Sequence, residues 1–389
     1  MMEKVRLTSD GTRRARERHP WIYSNELQSG FSELPSGEAV EIWGSDNRCH
    51  GVGFLSPHSL IAVRRFSLKN EPIDDTLLRF RIIDAISLRW RLYHNETVYR
   101  LIYSEGDYLP GFIVDRYGEV LVIQVLTTGI QRHLDIICNI LVEQVAPKGI
   151  LVRYDTAYRE QEILPVEPVV LYGNVSPTLT VEMGGLSWEI DPWKGHKTGF
   201  YLDQQPARRL VQTVSVGLKV LDLFCYTGAF SIYAHKGGAV SSLGIDSSID
   251  ALKSAEQNAK INGLGERCQW KSADVFDFVK SESKELFDLV LVDPPSLVKN
   301  RKKKMSGLRA YRDLNSKAMN WVKAGGKLLT SSCSGLVNQQ EFFEVLGEAA
   351  VKAGRQVRLI ERLTQGLDHP IRPEIPETEY LKVYLLEVN

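Results

Sequence analysis

Residues 218–231 read LKVLDLFCYTGAFS. From Leu218 to Phe224 the run is β-prone and apolar apart from Lys219 and Asp222, and after Gly228 the chain reads as a helix. A strand that is apolar on both faces belongs inside a parallel sheet. Working outward, the same rhythm repeats. Strands are predicted at AVSSLGID (239–246), CQWKSAD (268–274), FDLVLVD (287–293) and GGKLLTSS (325–332), with helical stretches around Ser231, Ala251, Val275 and Ala318. QVRLIERL (356–363) and YLKVYLLEV (380–388) supply two more. Seven strands alternating with helices predict an α/β fold with a doubly wound, mainly parallel sheet. Such sheets bind ligands at the carboxyl ends of their strands, so the residues that follow each strand carry the information.

The first strand runs into Asp222, Phe224, Tyr226, Thr227 and Gly228. Glycine lets backbone approach a ligand, and a helix start offers free N–H groups. The full GxGxxG spacing of a pyrophosphate site is absent. The second strand ends in Asp246, placed to accept both hydroxyls of a ribose, and the third in Asp274, placed to accept the amine of adenine. Either acid alone would most often be a helix N-cap. Together with Gly228 they point to an adenosine ligand, and the lack of a P-loop lysine favours S-adenosylmethionine over ATP. The fourth strand ends in Asp293-Pro294-Pro295, a rigid turn whose prolines lack N–H but keep their carbonyls. A loop carrying Lys299, Arg301, Lys302 and Lys303 follows, suited to phosphate contact or to plain solvation. The fifth strand ends in TSSCSG (330–335), which sets Cys333 across from Asp293; its small neighbours are expected to leave room for a flipped base.

The whole chain has 389 residues, 48 basic against 48 acidic, so net charge names no partner. Its five cysteines contain no CxxC pair, which argues against a disulfide framework and against a zinc site. No signal-like or membrane-spanning stretch is evident, and a soluble, cytoplasmic protein is expected. Three domains are predicted: a small β-rich unit at 1–70, an α+β unit at 71–185 and the α/β domain at 186–389. The first carries Arg13, Arg14 and Arg16 ahead of Trp21 and Tyr23, a combination that suits RNA as well as an ordinary solvated helical turn. In the second, helical apolar spacing puts Leu77, Phe80, Ile83, Ile86 and Trp90 near one face, and a strand is predicted at GILVRYD (149–155).

DLFCYTGAFS, DPPS and SSCS, with GHKTGFYLDQQPARR, SEGDYLPGFIVDRYG and HPWIYSNEL, resemble the bacterial cytosine-5 methyltransferases of large-subunit ribosomal RNA. The resemblance spans nearly the whole chain. It implies an N-terminal PUA-like domain, a central α+β domain and a C-terminal class I, Rossmann-like, seven-stranded methyltransferase domain. It implies S-adenosyl-L-methionine as cofactor, held by Asp222, Phe224, Tyr226, Thr227, Gly228, Asp246 and Asp274, with Lys197, Thr198, Phe200 and Gln204 as a lid. Cys333 and Asp293 become the catalytic pair, and Pro294, Pro295 and the basic loop the base- and RNA-contacting surface. The implied partner is large-subunit ribosomal RNA or its assembly intermediate; a homodimer is compatible. One departure stands out: Gly335 and Leu336 follow SSCS where histidines are usual in the family. In this chemistry a thiolate adds to carbon-6 of cytosine and carbon-5 attacks the methyl, while Asp293 is protonated or shares a proton with ring N3. Methylation of uracil-5 uses the same thiol. Methylation of an exocyclic amine, as in guanine, would want an aromatic where Ser296 stands. A non-catalytic RNA-binding assembly factor is the remaining alternative.

Overall fold

In the computed structural model the described residues are 2–154, 159–280 and 286–389. They form two compact units: residues 1–185, 190–202 and 367–378 make the first, and 186–189, 203–366 and 379–389 the second. The segment 190–202, which the sequence reading assigned to the α/β domain, thus groups with the first unit.

The first unit holds two five-stranded sheets. One consists of Glu3–Arg6, Ala39–Trp43, Cys49–Leu55, Ile61–Ser67 and Trp21–Tyr23 in that spatial order, all pairs antiparallel except the first. The other runs Val169–Gly173, Gly149–Tyr154, Val120–Val125, Phe112–Tyr117, Val98–Tyr103. The strand expected at 149–155 therefore ends at Tyr154, Asp155 lying outside the described residues. Helices Asp75–Leu92 and Leu134–Val145 belong with this sheet, and Phe54 and Phe66 of the first sheet share its core with Ile82, Leu101 and Ile137.

The helix Asp75–Leu92 is rotated relative to the sequence expectation. Leu78, Ile82, Ala85, Ile86 and Arg89 face inward, while Phe80 is 68% and Trp90 46% exposed. An arginine explains the shift. Arg89 is fully buried and is paired with Asp107 (2.5 Å), which no hydrophobic period can register. Arg100 and Asp115 form a second buried pair through two 2.8 Å bonds. Buried pairs of this kind are costly to break because one partner is left charged and dry.

The second unit contains all seven predicted strands, at Lys219–Leu223, Ser241–Asp246, Cys268–Ser272, Phe287–Val292, Val322–Ser332, Val357–Leu363 and Lys382–Val388. Numbering them one to seven, their spatial order is 3-2-1-4-5-7-6, parallel except for the last strand against both its neighbours. The central strands are buried on both faces, as Val220, Leu221, Leu289, Val290 and Leu291 are all at 0% exposure. Strand order reverses between strands one and four, which fixes the switch point beside the DPP turn.

Candidate active site

The turn after strand one is strained by design. Phe224 (φ 65°), Tyr226 (φ 48°) and Gly228 (φ 77°) all lie in the left-handed region. For the two non-glycine residues this costs about 1–3 kcal/mol each. The amides of Phe224 and Cys225 both donate to the Ile245 carbonyl (2.9 and 3.1 Å), anchoring the turn to strand two. Gly228 is required twice over: its φ is positive, and a Cβ there would sit 2.4 Å from the Trp270 ring.

Asp222 lies beneath this turn, fully buried. Its Oδ2 accepts from the Ser231 amide (3.1 Å) and hydroxyl (2.8 Å), satisfying the first turn of helix Ala229–Lys236. Burial pushes its carboxyl up to about 7, the Ser231 bonds oppose this, and Asp293 and Asp246 add to the rise. Asp222 Oδ1 and Thr227 Oγ1 are buried without a hydrogen-bond partner among the described residues. Asp246 accepts from Tyr226 N (3.0 Å) and Ser248 N (2.9 Å), one on each oxygen, so the two remaining lone-pair faces can receive a vicinal diol. Asp274 is exposed and caps helix Val275–Phe278 through Asp277 N (3.1 Å), the structural role that was weighed for it. Carboxylates, a strained glycine turn and orphaned buried oxygens, without a phosphate-binding lysine, fit a cationic sulfonium nucleoside. Asp246 and the 224–228 turn would hold it, with Asp222 and Thr227 supplying the unsatisfied acceptors.

On the other side of the switch point, Asp293 Oδ1 accepts from Gln204 Nε2 (2.7 Å) and from the Ser331 hydroxyl. Two donors on one oxygen fix the carboxyl in place. Cys333 is half-buried, its Sγ 3.9 Å from the Pro294 carbonyl of the DPP turn. The fourth and fifth strand ends are thus adjacent, in the register Val292 to Thr330. By contrast Cys138, Cys225 and Cys268 are buried, and burial pushes their thiols up, that of Cys268 to about 11.

The serines around Cys333 do something other than leave space. Ser331, Ser332 and Ser334 are all at 0% exposure. The Ser334 hydroxyl bonds the Ser296 and Tyr311 hydroxyls (2.9 Å each) and the Val298 amide (3.3 Å), tying the cysteine loop to the DPPS turn. A Cβ at Gly335 would meet open space. Ser296 is thereby explained as part of this hub.

Lys382 was not found from sequence. It sits in strand seven, paired in register with Ser332, and is 2% exposed. Its amine donates to the Ser334 and Tyr380 carbonyls, both at 2.7 Å. Burial lowers its pKa to about 8, opposed by Cys333 and then by Glu379 and Glu341. A lone lysine in the apolar run YLKVYLLEV was the available signal.

The other predicted residues fall elsewhere. Gln204 is in the second unit and bonds Asp293, whereas Lys197, Thr198 and Phe200 belong to the first. There Thr198 is fully buried, its hydroxyl bonded to the Asp115 carboxylate and the Tyr117 hydroxyl. Phe200 is buried, and Lys197 lies 4.7 Å over the Tyr201 ring. Pro294 is buried and Pro295 exposed. Lys299, Arg301, Lys302 and Lys303 are exposed and form no ion pair among the described residues. Arg13, Arg14 and Arg16 are each ion-paired, with Asp10, Glu26 and Asp46. Among the described residues no cluster of metal-ligating side chains occurs, and no helix is long and apolar enough to cross a membrane.

Two family models match the chain: S-adenosylmethionine-dependent methyltransferase over residues 152–386 and PUA-like domain over residues 5–68. A protein of Shewanella amazonensis named ribosomal RNA large subunit methyltransferase I is 38% identical, with 98% of each chain covered. A protein of the same name from Alteromonas mediterranea is 37% identical over the full length of both. Among solved structures, a Streptococcus mutans chain assigned to the S-adenosylmethionine-dependent methyltransferases superposes with a TM-score of 0.86 at 20% identity, covering 99% of this chain and 100% of that one. A methyltransferase structure complexed with SAH gives a TM-score of 0.87 at the same identity and coverage. With its cofactor thereby established as S-adenosylmethionine, the chain belongs to the methyltransferase family, bearing a PUA-like domain, that includes the ribosomal RNA large subunit methyltransferase I proteins.

Proposed function

We propose that this methyltransferase forms 5-methylcytosine in large-subunit ribosomal RNA through a covalent adduct on Cys333. The observation that carries the reading is the half-buried Cys333 thiol against the DPP turn, beside an Asp293 carboxyl fixed by Gln204 and Ser331. The names of the curated relatives supply the substrate class. The Cys333 thiolate adds to carbon-6 of the base, and the displaced π pair makes carbon-5 nucleophilic. Bound S-adenosylmethionine supplies the electrophilic methyl group. Asp293 holds the ring N3 edge as charge develops there, and the Pro294 and Pro295 carbonyls receive the exocyclic amine. Carbon-5 attacks that methyl group, and S-adenosylhomocysteine leaves with the bond pair. A base then takes the carbon-5 proton, the freed pair re-forms the 5,6 double bond, and the bond to Cys333 breaks with its electrons returning to sulfur as thiolate. The target base leaves its stack to reach this site.

The test is incubation with methyl-labelled S-adenosylmethionine and ribosomal RNA that lacks the modification, followed by identification of the labelled nucleotide. Label in 5-methylcytosine of large-subunit RNA is expected; label in 5-methyluracil or a methylated guanine would refute the assignment. Cys333→Ala retains donor binding by calorimetry and loses transfer, and Asp293→Ala loses most of it. Normal turnover by Cys333→Ala would sink the thiolate mechanism, and absence of donor affinity in the parent protein would favour an assembly factor. The reading carries a cytoplasmic reaction and either naked RNA or an assembly intermediate as substrate, compared directly as acceptors. A homodimer is checked by sedimentation.

A further inference from the structure

The first unit contains a cavity of about 650 Å³ that neither the methyl-donor site nor the cysteine uses. It lies between strand Ile61–Ser67, the loop after it, the start of helix Asp75–Leu92 and the turn at Tyr108–Pro110. Its volume is in the range of about 300–1,000 Å³ usual for small-molecule and nucleotide sites.

Five cations line it: Arg18, Arg65, Lys69, Arg81 and Arg372. The acids lining it are Glu71, which accepts from the Ser67 hydroxyl, and Asp74, which caps the helix at Leu77 N. Arg372 also pairs with Glu374 (2.5 Å). The remaining cations are not neutralised by ion pairs among the described residues. Arg65 is buried and donates to the Ala15, His19 and His50 carbonyls, none of which carries a charge. Burial and then the facing Arg372 and Arg18 lower its pKa to about 10; half-buried Arg81 is lowered to about 10 by burial, with Glu71 opposing and Arg372 adding to the drop. A buried cation without a counter-ion, as Arg65 is, is costly, and a bound anion relieves that cost.

The cavity also presents aromatic faces. Tyr108 is 48% exposed, held at φ 59°, and carries the Arg372 guanidinium 3.6 Å from its ring centre. Phe80, on the apolar helix face read from the sequence, is 68% exposed at the cavity wall. Cations that track a phosphate chain beside rings on which bases stack are the combination used for single-stranded nucleic acid. Arg13, Arg14 and Arg16, also candidates for RNA contact, are each ion-paired within the protein.

We propose that this cavity binds an unpaired segment of the RNA substrate, with phosphates on Arg18, Arg65, Lys69 and Arg81 and a base stacked on Tyr108. The proposal rests on the RNA-methyltransferase reading and names where, in the first unit, the substrate is gripped. It is tested with the full chain by anisotropy of a labelled single-stranded RNA of about 12 nucleotides, within the site sizes of such grooves. Arg18 and Lys69 are exposed, so Arg18→Glu/Lys69→Glu does not threaten folding; S-adenosylmethionine affinity by calorimetry serves as the folding control. The expected result is RNA affinity at least tenfold weaker at about 0.15 M salt, with the slope of log K against log salt reduced by about 1.4 for two lost phosphate contacts. Tyr108→Ala weakens the single strand by about tenfold and leaves a duplex of the same length unaffected. Unchanged RNA affinity in both variants, with donor binding intact, overturns the proposal. So does an equal loss on duplex and single strand for Tyr108→Ala. If the variants lose RNA affinity while the parent protein labels a base other than cytosine, the cavity stands and only the base assignment fails.

Discussion

Replacing Asp222 by asparagine should flatten the pH dependence of stability in the second unit. In the folded protein the carboxyl is raised from 3.8 to about 7, chiefly by burial. The folded state therefore holds a proton that the unfolded state has released between roughly pH 4 and pH 7, and stability falls as pH rises through that window. Above pH 7 the loss is complete. At about 1.4 kcal/mol per pH unit, the full penalty is about 4 kcal/mol, of which about 2–3 kcal/mol develops between pH 5 and pH 8. Asparagine keeps an acceptor for the Ser231 amide and hydroxyl, and places an amide where Oδ1 has no partner. That last effect costs about 1–3 kcal/mol but does not vary with pH. The assay is urea unfolding of parent and Asp222→Asn at pH 5, 6, 7 and 8, read as the difference in free energy so that all other titrating groups cancel. The variant is expected to gain on the parent by about 2–3 kcal/mol across the series. A difference that stays constant from pH 5 to pH 8 would refute the argument, since Asp222 would then ionise alike in both states.

Gly228→Ala combines a disfavoured φ with overlap on Trp270, and should cost about 2 kcal/mol of stability and weaken S-adenosylmethionine binding, measured by melting and calorimetry. Lys382→Met removes a buried cation beside Cys333; the acidic limb of the pH profile for kcat/KM should move to higher pH, with Lys382→Arg restoring it. An unmoved limb would leave Lys382 as a purely structural tie to Ser334 and Tyr380. Changing Lys299, Arg301, Lys302 and Lys303 together to glutamate should raise KM for RNA and reduce its salt dependence without altering donor affinity, because these side chains are exposed and unpaired with acids among the described residues.

The sequence by itself determined the α/β sheet and the order of the candidate site residues along the chain. Strand periodicity and punctuating turns are local properties, and the end of each strand could be read directly to Asp222, Asp246, Asp274, Asp293 and Cys333. Partnership was not legible, because it is made by residues distant along the chain. Arg89 lies on the buried face of its helix, paired with Asp107, while Phe80 lies on the exposed side. The serines flanking Cys333 look like spacers until Ser296, Tyr311 and Val298 are brought to Ser334. The acids that pair with Arg13, Arg14 and Arg16 could not be assigned from the sequence, and Lys382 shows no role until strand seven inserts beside strand five. Hydrophobic period fixes which segments fold; only the tertiary structure decides which charges and hydroxyls are already satisfied, and so which remain for a ligand.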